Sequence, residues 1–214
     1  MVDWRVKWMG LRRSAALCCV SCVFLAAGVP ERVLASPASA TSAPDTARPV
    51  AQQPALDQKQ SWIHVTYEKG RLAVPGHFGA FSGVVSFDAS RPAAGRVRLE
   101  VSVGSLAFKD AAVTRVVSMA DWLDIEHFPI ARFVSSSIAT AGSGKYSVMG
   151  RLTLRGKTLV VVVPVSYTES SQGQVFDGVL PIRRQQFGVG SNVDTDRVAD
   201  KVVLSFHLVT HPAP

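Results

Sequence analysis

Residues 96–103, RVRLEVSV, alternate strictly between apolar and polar side chains. Val97, Leu99, Val101 and Val103 share one face, and Arg96, Arg98, Glu100 and Ser102 the other. A period of two is the pattern of a β-strand with one wet face and one dry face. It recurs in Lys145–Leu154, with Tyr146, Val148, Leu152 and Leu154 on one side, and in Asp200–Thr210, with Val202, Leu204, Phe206 and Leu208 on one side. Turn signals separate the runs, among them Glu68-Lys69-Gly70, Ala141-Gly142-Ser143-Gly144 and Arg155-Gly156-Lys157. From Trp62 onward about eight such segments follow one another at meander spacing. Long open sheets leave edges exposed, and closure into a barrel removes them. The expectation is therefore an all-β, extended antiparallel eight-stranded barrel with one or two short helices.

Two stretches break the alternation. His77–Asp88 carries glycines at Gly79 and Gly83, which suit strong bending or a bulge. Asp121–Ser137, DWLDIEHFPIARFVSSS, opens with a candidate N-cap and apolar residues at helical spacing, and Pro129 ends the helical run. The reading is a short helical plug feeding a strand, with Phe133, Ser135 and Ser137 on one side and Val134, Ser136 and Ile138 on the other. A second short helix is expected over Asp110–Ser118.

Some strands are apolar on both faces, notably Leu159–Val163 and Val202-Val203 with Val209. That excess fits either a lumen larger than a solid core requires or an outer face covered by a second copy. An eight-stranded barrel holds one small ligand in its interior. A strand of about nine residues spans roughly 30 Å, long enough for an extended lipid tail.

Residues 1–35 read as a signal peptide. Arg5, Lys7, Arg12 and Arg13 precede the apolar run Ser14–Val29, which is too short to span a bilayer comfortably, and Pro30 breaks it. Cleavage is expected after residue 35, or alternatively after residue 40. Residues 36–60, rich in Ala, Pro, Ser and Thr, read as a disordered linker, and residues 61–211 as the folded domain. The leader holds five of the basic residues and two acids, so the formal charge of +7 falls to about +4 without it. The remaining basic residues are scattered, so no nucleic-acid partner is expected. All three cysteines, Cys18, Cys19 and Cys22, lie in the apolar run, so the domain has no thiol and no disulfide. Export without disulfides suits a bacterial periplasm.

Four blocks now carry a resemblance. They are Phe78-Gly79-Ala80-Phe81-Ser82-Gly83 with Val85-Ser86-Phe87-Asp88; Asp121-Trp122-Leu123-Asp124 with His127-Phe128-Pro129; Tyr146 with Gly150-Arg151-Leu152-Thr153-Leu154-Arg155-Gly156; and Arg184 with Phe187-Gly188-Val189-Gly190, Asp194-Thr195-Asp196 and Val198–Val202. In this order the chain resembles the YceI-like family of exported bacterial proteins, from about Phe78 to Leu208. The resemblance implies a lipocalin-like barrel whose lumen binds a long amphiphile, a polyisoprenoid or isoprenoid quinone. The sequence departs from the family pattern at Gln186, where an acid is common, and at Ser191-Asn192-Val193, where a tryptophan often stands.

Candidate lining residues are Phe78, Phe81, Phe87, Trp122, Phe128, Phe133 and Phe187, with Arg184 as a guanidinium for a head group. No catalytic residue is expected, because no Gly-x-Ser-x-Gly elbow or phosphate-cradling glycine loop occurs. No metal site is expected, because the five histidines stand singly and outside any ligand spacing. No cofactor is obligatory. The expected partner is a long-chain isoprenoid lipid, with transient membrane contact and a homodimer as further expectations. The competing readings are a non-catalytic dimeric interaction module with a solid core and, further off, a barrel hydrolase.

Overall fold

The structure is a computed structural model, and it describes residues 56–170 and 173–211. Ten strands and one α-helix follow in the order β1 (Trp62–Lys69), β2 (Leu72–Phe78), β3 (Phe81–Ser86), β4 (Arg96–Ser102), β5 (Leu106–Phe108), α1 (Ala111–Ser118), β6 (Ile130–Gly142), β7 (Lys145–Leu154), β8 (Lys157–Ser170), β9 (Gly173–Arg183) and β10 (Val198–Thr210). All pairings are antiparallel, and the neighbour order is β3-β4-β6-β7-β8-β9-β10-β1-β2-β5.

Ten strands replace the expected eight, and the difference has a local cause. β3 continues β2 beyond a bend at Gly79-Ala80, and β5 continues β4 beyond the 3-10 turn Val103–Ser105. The two bends are bonded to each other, Gly79 N donating to Ser105 O at 3.1 Å and Ser102 N to Ala80 O at 2.9 Å. The two ends of the neighbour order, the pair β3–β4 and the pair β2–β5, are thus the two halves of one bent hairpin, and the sheet curls back on itself through it. The glycine-rich stretch bends where its sequence is least able to lie flat.

α1 lies between β5 and β6 in the chain, and its Val117 packs with Leu106 and Val65 over that side of the sheet. Its start agrees with expectation: Asp110 caps it, accepting from Ala112 N at 2.8 Å. The helix expected at Asp121 is absent. Leu123 N and Ile125 N instead satisfy Val117 O and Ser118 O, the last carbonyls of α1, and Asp124 turns the chain at φ 50°. The plug is a run of turns that caps one helix rather than starting another.

β6 also differs from expectation. Ser135 faces Gly150 but Ser137 faces Met149, so one residue is bulged out there. The bulge returns Ile138 to the inner side with Phe133, whereas the uninterrupted alternation put them on opposite sides.

The expected leader, 1–35, and residues 36–55 of the expected linker lie outside the described residues. The packed domain begins earlier than Ser61. Leu56 is buried and bridges Thr210, and Asp57 N donates to Val209 O at 2.8 Å. The apolar side chain of Leu56 finds a place against Ile63, Phe176 and Leu208, which outweighs the polar character of its neighbours. Asp57 anchors the segment, its Oδ2 lying 2.8 Å from His211 Nε2. Its pKa is lowered to about 2, first by the hydrogen bond with His211 and then by the backbone amide of Lys59. A carboxylate depressed on folding adds stability above its ordinary value of 3.8 and loses it as the pH falls toward 2. Leu56 methyl resonances should therefore hold their docked shifts at neutral pH and move toward random-coil values only below about pH 4. Movement already at about pH 6 would contradict this anchoring.

Candidate functional site

Inward-pointing side chains of the curled sheet enclose a cavity of about 130 Å³. Its wall is apolar almost throughout: Val97, Leu99 and Val101 from β4, Tyr146, Val148 and Leu152 from β7, Val163 and Val165 from β8, and Leu204, Phe206 and Leu208 from β10. Each trio sits on alternate residues of one strand, so the period-two faces read in the sequence are the lumen wall. Apolar cavities of this size stay dry and accept apolar guests.

One end is ringed by aromatic edges. Phe87 meets Tyr146, Tyr167 and Phe176 in T-shaped contacts at 4.8, 5.0 and 5.7 Å between centroids. Behind them Tyr167 Oη donates to Glu169 at 2.8 Å and accepts from Gln174 Nε2 at 3.2 Å. Burial, then the Glu169 carboxylate, push the Tyr167 phenol up to about 12. This end is a neutral aromatic ring backed by a closed polar network.

Of the eight expected site residues, two line the cavity: Phe87 and Phe133. Phe133 is seated over Gly150, where an added Cβ would stand 2.5 Å from the ring and 2.6 Å from Val134 O. Because one of those atoms is backbone, Gly150→Ala should displace the ring and cost about 1–3 kcal/mol. Thermal unfolding that matches the wild type would contradict this seating.

The other aromatic candidates sit elsewhere. Phe78 and Phe81 pack into the cluster of Leu56, Ile63 and Val85. Trp122 and the buried Phe187 pack below the lumen, with Leu152, Ile182 and Val189. Phe128 lies outside it, over Gly156. Large rings mark only part of the wall, which is mostly valine and leucine.

Arg184 requires the largest correction. Its side chain is buried, and all five guanidinium protons are taken by backbone carbonyls. Nε donates to Ala199 O at 3.1 Å, Nη1 to Val189 O at 2.9 Å and to Gly190 O, and Nη2 to Val193 O at 2.9 Å and Val198 O at 2.8 Å. Trp122 covers it, with 5.5 Å from Cζ to the ring centroid. Burial pulls the Arg184 pKa down and Asp200 pushes it back up, and arginine stays charged. No donor is left for a head group, so Arg184 is the tie that holds the 184–199 corner under the barrel. The charged residue that does border the cavity is Arg132, on the exposed side of β6, with Nε 2.9 Å from Glu100 Oε1. In the sequence Arg132 is a lone arginine between Ala131 and Phe133, with no motif around it to single it out.

Among the described residues, no three His, Cys, Asp or Glu side chains come together as a metal site. No helix among them is long and apolar enough to cross a membrane.

Known proteins share this architecture. A UPF0312 protein of Pseudomonas savastanoi pv. phaseolicola is 25% identical over 179 residues, 79% of this chain and 93% of the relative. The crystal structure of Burkholderia cenocepacia BcnA is 40% identical with a TM-score of 0.70, covering 72% of this chain and 98% of that one. A polyisoprenoid binding domain from Saccharophagus degradans has a TM-score of 0.62 at 16% identity, covering 76% of this chain and 99% of that one, a likeness of fold alone. The YceI-like domain model matches residues 55–210, which takes in every described strand. On that match, the chain belongs to the YceI-like family.

Proposed function

We propose that this protein is an exported, non-catalytic carrier or store for a long-chain polyisoprenoid or isoprenoid-quinone-like lipid, working in the periplasm after removal of its leader. The observation that carries the reading is the lumen wall, apolar on four separate strands of one curled sheet. The fold shared with the polyisoprenoid binding domain of Saccharophagus degradans supports the ligand class.

Burying several hundred Å² of isoprenoid surface at about 25 cal/mol per Å² gives a gross gain on the order of 10 kcal/mol. Association entropy and ordering of the tail offset a good part of this. Micromolar or tighter binding follows without a strong head-group contact, which agrees with Arg184 being spent on the backbone. A tail several isoprene units long has to pass between the strands to reach the lumen, so loading parts the wall. A solid-core dimer explains the apolar outer residues but not the cavity.

The test is organic extraction of protein purified from its native compartment without detergent, followed by mass analysis of the extract. A stoichiometric isoprenoid is expected. An extract free of long-chain lipid, from protein that also fails to take up added polyprenol, overturns the reading.

A further inference from the structure

The barrel wall has a break in its ladder. β8 is 14 residues long, yet its register with β9 runs only from Val165 opposite Gly178 to Ser170 opposite Gly173. The first half of β8, residues 157–164, is paired with β7 alone, and residues 179–183 of β9 are paired with β10 alone. Each lip carries a proline, Pro164 and Pro181, which has no N–H to give to a ladder. The lips are apolar on both sides. Val163 and Leu180 point into the cavity. Val160, Val162 and Val179 point outward and are 68%, 51% and 50% exposed. Strands with one wet face do not place valine there, and an exposed apolar patch marks a contact with something apolar.

The surroundings say what that is. Directly opposed residues share a face, and Arg98, Val134, Arg151 and Val160 form one transverse row across β4, β6, β7 and β8. Arg183 faces Lys201 on the other side of the break. Arg98, Arg151, Arg183 and Lys201 are all exposed. Asp200 lies 3.7 Å from Arg183, and Asp177 is held by His207 toward the paired end of β8 and β9. A basic border round an apolar centre complements an anionic lipid surface. A second copy fits poorly, because a two-fold contact sets the same basic border against itself.

We propose that the unpaired β8–β9 seam is a lateral portal, which docks on an anionic membrane surface and passes the isoprenoid tail between the bilayer and the lumen. The proposal rests on the lipid-carrier reading. It supplies the parting of the wall which that reading requires, along the line where no backbone hydrogen bonds need to break. The tail crosses from hydrocarbon to lumen between valines and a leucine, without passing through water.

The test uses vesicles of phosphatidylcholine, with and without phosphatidylglycerol, carrying a fluorescent polyprenol. Transfer to the wild-type protein should be faster with phosphatidylglycerol and should slow as salt is raised. The triple variant Val160→Asp, Val162→Asp, Val179→Asp changes only exposed positions. It should slow transfer at least about tenfold, while polyprenol added from solvent fills it to the wild-type level. Wild-type transfer rates in the variant would overturn the portal and leave the carrier reading standing. A wild-type dimer that the variant loses, with transfer unchanged, would make the patch a self-interface instead. Failure of the wild type to take up polyprenol from solvent removes the carrier reading and the portal with it.

Discussion

Arg184→Ala is expected to lower the melting temperature by on the order of 10 °C. Five backbone carbonyls, of Ala199, Val189, Gly190, Val193 and Val198, lose their donors together. Several of these acceptors are buried, and each one left unsatisfied costs about 1–3 kcal/mol before relaxation. Water entering the space recovers part of that, which leaves a loss of about 4 kcal/mol, in the range reserved for disruption of buried networks. Arg184→Lys should not restore stability, because an ammonium is a point donor and the five acceptors surround a planar fork. The arginine's hold on Trp122 goes as well, so near-ultraviolet circular dichroism should weaken in both variants. A variant that melts within about 2 °C of the wild type and changes only head-group preference would return Arg184 to the ligand site.

Phe133→Asp is expected to abolish retention of a long isoprenoid. The side chain points into the lumen opposite Leu152 and beside Leu99. A carboxylate there must be desolvated without a partner whenever a tail fills the space, a cost of several kcal/mol. Every 1.4 kcal/mol is about tenfold in affinity, so affinity should fall by about two orders of magnitude or more. Ala139→Asp is the control, on the same strand but at an exposed position, and should retain the lipid. Equal loss in the two variants would mean that charge on β6, and not the lumen, decides binding.

The alternation in Arg96–Val103, Lys145–Leu154 and Asp200–Thr210 was enough to read the barrel and the inner face of these strands. Those faces obey local chemistry: one side wet, one side dry. The bend at Gly79-Ala80 was legible for the same reason, because glycine in a strand marks a break. Other features depend on partners distant in the chain. The bulge at Ser136 moves Ile138 inward because of its pairing with β7, which the sequence of β6 does not encode alone. Asp121 looks like a helix cap, but α1 competes for the amides of Leu123 and Ile125 and wins them. Arg184 looks like a surface arginine until the loop from Val189 to Ala199 folds round it. The valines of β8 signalled an apolar excess, and the structure puts Val160 and Val162 on an uncovered outer face beside a break in the ladder.

Native mass spectrometry of protein purified gently from its native compartment is the direct test of lipid carriage. A one-to-one complex is expected, its added mass that of a long isoprenoid, present in the wild type and in Ala139→Asp and missing in Phe133→Asp. The bare polypeptide mass in the wild type, with added polyprenols neither binding nor raising the melting temperature, would contradict it.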